Sequence, residues 1–311
     1  MGLRYPSNVR TSFGSSAWPL NLVTPNKGQT IMSSVQIVTD SSCDLPDDLV
    51  TQLGIRIVPL KIRIGQTEFI DRLELTTDQF WEKCRQTDEL PSTAAPAPGA
   101  FIEEFQRAAA GGASGVVAVV LSGELSATIE AAQQAAREVE GDIEVRVVDS
   151  RTVTLGLGAV VVAAARAAIA GADIDQVSNI ATDSAARTQV HAALDTLENL
   201  RKGGRIGAAG SLLGSLLSIK PLIEVRNGVV EPAGKQRTRS KALNYLVGVV
   251  EEHADRIENI YVTHAACDDV DSFVQRIEAL VQTEVLVGQV GPVVGAHAGI
   301  GTIGVAFQTA S

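Results

Sequence analysis

The chain has 311 residues, of which 45% are hydrophobic and 20% are charged, and this composition is that of a globular protein. Its formal net charge of −10 argues against the clustered lysines and arginines of a nucleic-acid surface, so we expect no nucleic-acid partner. The three cysteines are scattered and form no CxxC pair, which argues against disulfides and metal sites and favours a cytoplasmic location. The most apolar stretch, 160–170, is interrupted by Arg166, so no stable membrane insertion is expected.

The predicted elements of the first half alternate between strand and helix. Residues 1–34 are rich in Ser, Pro, Asn and Gly and are expected to form a disordered extension. The Pro-punctuated segment 91–98 is predicted to contain no regular structure. The alternation predicts a mostly parallel, doubly wound sheet in an N-terminal α/β domain over residues 35–183. The predicted strands are 35–39, 55–64, 115–121 and 144–148, and the predicted helices are one beginning near Asp44, then 76–86, 101–110, 127–139 and 158–170.

A second α/β domain, packed on the first, is predicted over residues 184–311. A helix is expected to end at Lys202, before two glycines, and Asn227-Gly228 predicts a hairpin between strands 219–225 and 228–232. Residues 299–304 match the dinucleotide pattern GxGxxG, but no helix is predicted behind them, so no cofactor is expected. The other predicted elements are a helix at 240–254, a strand at 260–263, a helix ending near 281, and strands at 283–290 and 304–307.

Four separate segments carry the residue types of an anion site. Ser126 follows a buried strand and is expected at a helix N-cap, where backbone N–H groups and the helix dipole favour an anion. The hydroxyls of Thr93 and Ser126 are expected to donate to a carboxylate, and His297, on a glycine-rich turn, to add a charge-assisted bond. Arg205 is expected to supply a positive charge nearby. The segments are 91–93 (PST), 121–128 (LSGELSAT), 200–206 (LRKGGRI) and 291–301 (GPVVGAHAGIG).

Together these segments resemble motifs of the DegV family. The stretch 39–45, TDSSCDL, is similar to the family's TDSxxDL start, and 121–128 is similar to LSSxLSGTY. Residues 202–206 match KGGRI, and 291–301 are similar to GPVIGxHxGPG. The resemblance extends over residues 35–308. It implies a bacterial lipid-binding protein of two α/β domains that serves as the fatty-acid-binding subunit of fatty acid kinase.

The resemblance also implies which residues hold the lipid. The fatty acid carboxylate is expected at Thr93, Ser126 and His297, with Arg205 close by, and its tail in an apolar tunnel between the domains. The loop 93–97 reads TAAPA where the family has TSQPS, and the tyrosine of LSGTY is absent, which affects the expected chain preference. Further expected contacts near the head group are Ser92, Ser122 and Ala127. Four leucines that recur at helical spacing are expected either along the tail or as ordinary core: Leu212, Leu213, Leu216 and Leu217.

The resemblance implies a carrier rather than an enzyme. The bound acid would be presented to an ATP-binding kinase subunit, and the resulting acyl-phosphate would pass to an acyltransferase of phospholipid synthesis. In the basic run 235–241, Arg237 and Arg239 are expected to contact the kinase. Two alternatives remain open: a serine-dependent acyl hydrolase that uses Ser126 and His297, and a lipid-sensing regulatory protein.

Overall fold

The computed structural model describes residues 35–87, 89–213 and 219–310, and the predicted disordered extension, 1–34, lies outside them. The described strands are β1 (Val35–Asp40), β2 (Arg56–Val58), β3 (Lys61–Ile64), β4 (Thr67–Ile70), β5 (Ser92–Ala94), β6 (Gly115–Val120), β7 (Glu144–Asp149), β8 (Thr188–Ala193), β9 (Lys220–Arg226), β10 (Val229–Gln236), β11 (Ile257–His264), β12 (Val285–Gln289) and β13 (Ile303–Thr309). The described α-helices are α1 (Asp47–Gln52), α2 (Thr77–Gln86), α3 (Pro98–Ala110), α4 (Thr128–Glu138), α5 (Leu155–Ile169), α6 (Ile174–Arg187), α7 (Glu198–Lys202), α8 (Arg239–His253), α9 (Val270–Glu278) and α10 (Pro292–Ala298).

The first sheet is four-stranded and parallel, in the order β2-β1-β6-β7. Every residue of β6, GVVAVV, is buried, as its β-branched apolar sequence predicts for the interior of a parallel sheet. Helices α3 and α4 pack against one face, in a core cluster that contains Phe101 and Phe105, and α5 contacts β1 and β6. The predicted α/β class with a mostly parallel, doubly wound sheet is therefore confirmed.

The second large sheet has six strands in the order β10-β9-β8-β13-β11-β12, and only β11 and β12 pair in parallel. The predicted hairpin is present, because Asn227 and Gly228 both have positive φ and join β9 to β10 in antiparallel register. The predicted boundary between residues 183 and 184 falls inside α6, and the division into two domains there stays a prediction.

Helix α5 contacts strands of both sheets, β1 and β6 of the first and β8, β11 and β13 of the second. Its sequence, LGLGAVVVAAARAAI, is apolar nearly all round, which is the pattern of a helix buried on every side. Gly156 and Gly158 permit the close packing, since a Cβ would meet Val190 at the first and the backbone of Cys43 at the second. The two sheets are thus joined through one buried helix.

Several predicted elements differ from the structure. The predicted strand 55–64 is two strands in different sheets, because Pro59 interrupts the ladder between β2 and β3. The prediction that segment 91–98 is irregular is wrong: Ser92–Ala94 forms β5, which pairs antiparallel with β3 between the flanking prolines. The glycine-rich segment from residue 291 begins as helix α10, with Pro292 in its first turn. Besides β5 and α10, the elements β4, α6 and β8 are also not predicted from the sequence.

Helix α10 packs against α2 through an aromatic contact. The indole Nε1 of Trp81 donates a hydrogen bond to the carbonyl of Val290, just before α10, at 3.0 Å. A Cβ at Gly295 would lie 2.7 Å from the Trp81 ring and 2.8 Å from the Phe80 ring, so only glycine fits this contact. None of the described helices has both the length and the apolar character needed to span a membrane.

Gly295→Ala should lower the free energy of unfolding by about 1–3 kcal/mol, because the added methyl group overpacks the contact with α2. Urea denaturation measures this change. Gly248→Ala is the matched control, since a Cβ there meets nothing within 4 Å. Equal stability of the two variants would show that α10 is not held by this contact.

Candidate functional site

One largely apolar cavity of about 110 Å³ contains the polar residues that the sequence singled out. Its described lining includes Thr93, Ser126, Arg205 and His297, which come from all four predicted segments. Apart from two histidines, Arg205 is the one ionisable side chain among the described lining residues, and no carboxylate lines the cavity with it. Most of the wall is aliphatic and includes Leu60, Leu121, Leu125, Val190, Leu194, Leu200, Ile223, Val225, Val230, Val290 and Val293. An aliphatic wall with a few converging polar groups is typical of a small-molecule site for an apolar ligand with an anionic group.

Thr93 and His297 meet directly although 204 residues separate them in sequence. Thr93 lies on β5, opposite Ile62 of β3, and His297 lies in the last turn of α10. The Thr93 Oγ1 and the His297 Nε2 are 2.8 Å apart, within hydrogen-bond distance. Pairing of β5 with β3 therefore places the threonine hydroxyl at the histidine, which the irregular loop predicted for this segment did not suggest.

Ser126 belongs to the turn between β6 and α4. It is not the N-cap residue, because α4 begins at Thr128 and Ala127 occupies the N-cap. The Ser126 Oγ instead accepts a hydrogen bond from the Thr128 N–H at 3.3 Å and lies 2.9 Å from the Thr128 Oγ1. Ser126 therefore lies one residue before the N-cap, and not at the N-cap position that the sequence predicted for it.

Arg205 joins two of the predicted segments. Its Nε donates to the Leu125 carbonyl at 3.0 Å, and its Nη1 donates to the Gly203 carbonyl at 2.6 Å. Within the described residues its Nη2 makes no hydrogen bond. A guanidinium anchored in this way can direct its remaining N–H groups at an anion in the cavity.

His297 is neutral near pH 7. Burial, together with the positive charge of Arg205, lowers the pKa of the imidazole to about 4. Its Nδ1 has no hydrogen-bond partner among the described residues and faces Gly203, where a Cβ would overlap with it. Because an unpaired buried N–H is rarer than an unpaired acceptor, the proton belongs on Nε2. His297 thus offers a neutral N–H donor and not a positively charged imidazolium.

The secondary head-group residues lie outside the described cavity lining. Ser92 is exposed on β5, and Ala127 is exposed at the start of α4. Ser122 is fully buried, and its Oγ donates to the Gly228 carbonyl at 2.7 Å. Ser122 thus fixes the β9–β10 hairpin against the turn that carries Ser126.

Of the four predicted tail residues, the structure describes two, Leu212 and Leu213. Leu212 packs at the edge of a cluster around Leu194 and Leu200, and Leu213 is 45% exposed. Neither is among the described residues that line the cavity. Leu216 and Leu217 lie outside the described residues.

The two arginines of the basic run have different environments. Arg239 forms a bidentate ion pair with Asp269, in which its Nε donates to Oδ2 and its Nη2 to Oδ1, both at 2.9 Å. Its Nη1 donates to the Gly301 carbonyl. Its guanidinium therefore holds the loop after α10 in place and is not free for a partner. Arg237 is exposed and makes no hydrogen bond or ion pair within the described residues.

Of three further hydroxyl residues in the described wall, Thr154, Thr263 and Thr302, the first two contact each other and had no sequence signal. Thr154 precedes α5, and Thr263 lies on β11; their Oγ1 atoms are 3.3 Å apart. Thr154 has φ 54 and ψ −142, an unusual conformation for a β-branched residue. Its Oγ1 lies 2.6 Å from Oδ2 of the buried Asp44. Only the tertiary structure reveals this contact, since 110 residues separate the two.

Fold and cavity define an α/β protein with an internal apolar site and a small polar cluster for an acidic group. The profile of the DegV family matches residues 34–310. A DegV domain-containing protein of Streptomyces coelicolor is 38% identical over 281 residues, which cover 88% of this chain and 98% of that protein. The chain belongs to the DegV family.

Solved structures of the family have the same fold. A fatty-acid-binding DegV family protein from Thermus thermophilus is 33% identical, with a TM-score of 0.82, and the match covers 89% of this chain and 99% of that one. DegV from Bacillus subtilis, described as a fatty acid binding protein, is 26% identical, with a TM-score of 0.81 and the same coverage. The recognition from sequence motifs is confirmed.

In delipidated protein, the His297 imidazole should titrate with a midpoint near pH 4. Arg205→Gln should raise that midpoint, because it removes the positive charge that opposes protonation. NMR of the imidazole resonances, assigned with His297→Gln, measures both. A midpoint near the ordinary value of 6.5, unchanged in Arg205→Gln, would contradict the assigned burial and charge contact.

Proposed function

We propose that the chain binds a long-chain fatty acid in the cavity and holds its carboxylate at Thr93, Ser126, His297 and Arg205. As a cytoplasmic carrier rather than an enzyme, it presents this carboxylate to an ATP-binding fatty acid kinase subunit. The acyl-phosphate formed there passes to an acyltransferase of phospholipid synthesis. The observation that carries the proposal is that these four polar residues, from four distant segments, line one otherwise apolar cavity.

The head-group cluster suits a carboxylate. With its proton on Nε2, neutral His297 donates to the Thr93 Oγ1 and leaves the Thr93 O–H free for the acid. The Ser126 hydroxyl is a second neutral donor, and Arg205 supplies one positive charge against the one negative charge of the acid. The absence of a competing carboxylate from the described lining leaves this charge unbalanced until a ligand binds. An ionised acid therefore meets both hydrogen bonds and a counter-charge where water is excluded.

The aliphatic wall supplies most of the binding energy for the tail. Each buried methylene contributes about 0.8 kcal/mol, so a long chain outweighs the few hydrogen bonds of the head group. The described wall is built from strands of both sheets, for example Leu121 after β6 and Ile223 on β9. The head group then sets orientation, while the tail sets affinity.

The hydrogen bonds of Ser126 and His297 favour binding over hydrolysis. A serine nucleophile needs a histidine base at its hydroxyl, and that base needs a third group on its other nitrogen. Here His297 Nε2 meets Thr93, while Ser126 meets Thr128. The other histidine nitrogen faces Gly203, and no carboxylate contacts it among the described residues.

Ser126→Ala and His297→Ala should each weaken fatty acid binding by about tenfold or more, because hydrogen bonds to a charged group contribute about 1.5–3 kcal/mol. Titration of delipidated protein with a fluorescent fatty acid measures the affinity. Ser272→Ala, on the exposed face of α9, is the matched control and should bind normally. Full affinity in both site variants would refute this head-group assignment, and release of acyl-ester products by the wild type would favour the hydrolase.

Arg237 is the remaining candidate for the kinase contact, because Arg239 is engaged by Asp269 and Gly301. Arg237→Glu should reduce kinase-dependent formation of acyl-phosphate and leave fatty acid affinity unchanged, since reversing an exposed charge disturbs a partner and not the cavity. The assay combines the chain, the organism's kinase subunit, ATP and fatty acid.

Arg137→Glu, at an exposed arginine on α4, is the control for charge reversal. Phosphorylation equal in both variants would remove Arg237 from the interface. Binding of fatty acid with no phosphorylation of the wild-type complex would instead favour a lipid-sensing regulator.

A further inference from the structure

The TDSSCDL turn, 39–45, is a motif that the proposed lipid contacts do not use, and none of its residues lines the described cavity. Its polar residues are nevertheless buried: Asp40 and Ser42 are 0% exposed, and Ser41 is 2% exposed. Asp44 closes the turn in a left-handed conformation, with φ 51 and ψ 20. A buried polar turn without contact to the ligand requires a structural partner for each of its groups.

Those partners are the segments that carry the head-group residues. The Asp40 Oδ2 accepts a hydrogen bond from the N–H of Leu121 at 2.8 Å, at the start of the turn that contains Ser126. The Ser41 Oγ accepts from the N–H of Leu60 at 3.1 Å, just before β3, the strand that pairs with β5. Leu60 and Leu121 themselves line the cavity.

Asp44 makes the third of these connections, and it contacts two distant segments, at Gly291 and at Thr154. Its Oδ1 accepts from the N–H of Gly291 at 3.1 Å, immediately before α10, the helix that carries His297. Its Oδ2 lies 2.6 Å from the Thr154 Oγ1, and Thr154 in turn lies 3.3 Å from the Thr263 Oγ1. One carboxyl group thereby joins the first turn to α5, β11 and α10.

We propose that Asp44 is the positioning residue of the fatty-acid site: its carboxyl group fixes the start of α10, and through Thr154 and Thr263 the cavity wall, so that His297 is held at the ligand carboxylate. This inference rests on the proposed function. The unusual backbone of Thr154 agrees with it, because a strained residue persists where surrounding contacts over-determine it.

The protonated form of Asp44 fits this role. Burial raises the pKa of the carboxyl to about 8, and the Asp71 charge adds to the rise, while the bonds to Thr154 and Gly291 and the Arg72 charge oppose it. At pH 7 the group is therefore mostly neutral. A neutral acid can accept from Gly291 with one oxygen and share a proton with Thr154 through the other.

Ionisation of Asp44 should weaken binding of an anionic ligand. Six residues of helix rise separate Gly291 from His297, about 9 Å, so the new negative charge acts on the ligand carboxylate across a buried path. The ligand-bound form then holds the Asp44 proton more tightly than the free form. Affinity is consequently full below the free-state pKa of about 8 and falls as the pH rises through it.

Other titratable groups near Asp44 are Asp40 and Cys43 on its own turn, Asp71 and Arg72 after β4, and Asp47, which pairs with Arg72. Burial raises the pKa of Cys43 to about 12 and that of Asp71 to about 6, so the midpoint of neither titration falls between about pH 7 and 9.5. Burial also raises the pKa of Asp40. A variant of Asp44 itself is therefore needed to assign the titration.

Asp44→Asn provides that variant, because its Oδ1 can accept from Gly291 and its Nδ2 can donate to Thr154 without ionising. Fluorescent fatty acid affinity is measured from pH 6.5 to 9.5 in wild type, Asp44→Asn, Asp44→Ala and the exposed control Asp78→Asn, with circular dichroism on each sample. Wild type and Asp78→Asn should lose about tenfold in affinity between pH 7 and 9.5. Asp44→Asn should retain most of the neutral-pH affinity with a flat profile, and folded Asp44→Ala should bind about tenfold more weakly at pH 7.

A flat wild-type profile, or an Asp44→Asn profile that falls like the wild type, would overturn the positioning role while leaving the proposed function intact. Misfolding of Asp44→Ala does not affect this test, since the Asp44→Asn profile decides it alone. A wild type that binds no fatty acid at any pH would instead overturn the proposed function, and the inference with it.

Discussion

An ionised carboxylate can enter a protein interior only where hydrogen bonds and a counter-charge replace the water that it loses. The fatty-acid site that we propose for this DegV family chain meets this requirement. Thr93, Ser126 and His297 are neutral donors, and Arg205 is the charge; an aliphatic wall surrounds them. In the proposed function, these four residues orient the acid, and the aliphatic wall holds its tail.

The four residues depend on distant parts of the chain for their positions. Thr93 is placed by the pairing of β5 with β3, and His297 by the packing of α10 on α2 and by the close approach of Gly203. Arg205 is anchored by backbone carbonyls on either side of the site. Because positions of bound groups must be accurate to a fraction of an ångström, these supports matter as much as the contacts themselves.

Helix α5 connects these supports. It lies against both large sheets, and its apolar sequence is buried along most of its length. The turn before it holds Thr154 at Asp44, which in turn holds the start of α10. A hydrogen bond from the Gly291 N–H to Asp44 therefore joins the N-terminal turn to the start of the C-terminal helix, 247 residues away.

The sequence predicted the elements whose patterns are local. The buried run of β6, the Asn-Gly hairpin and the alternation of strands with helices follow from residue types at short spacing. The motif resemblance also brought together Thr93, Ser126, Arg205 and His297, which lie on four segments far apart in the chain and line one cavity in the structure. By contrast, β5 is three residues long and is defined by its pairing with β3, which no local pattern indicates. The N-cap predicted at Ser126 is instead at Ala127, because α4 begins at Thr128.

Non-local contacts account for the remaining differences. The wall of the cavity comes from residues such as Val190 and Ile223, whose side chains meet only after the second sheet has formed. Leucines at helical spacing near residue 212 gave a clearer local pattern, yet Leu213 is 45% exposed and Leu212 packs outside the described lining. The lowered pKa of His297 also depends on tertiary burial and on Arg205, which no local pattern reveals.

The most direct test of fatty acid binding is mass spectrometry of the lipid extracted from purified, denatured protein. We expect a long-chain fatty acid at close to one molecule per chain, and its identity would reveal the preferred length and unsaturation. A protein that is empty as purified and takes up no added fatty acid would contradict fatty acid binding in this cavity.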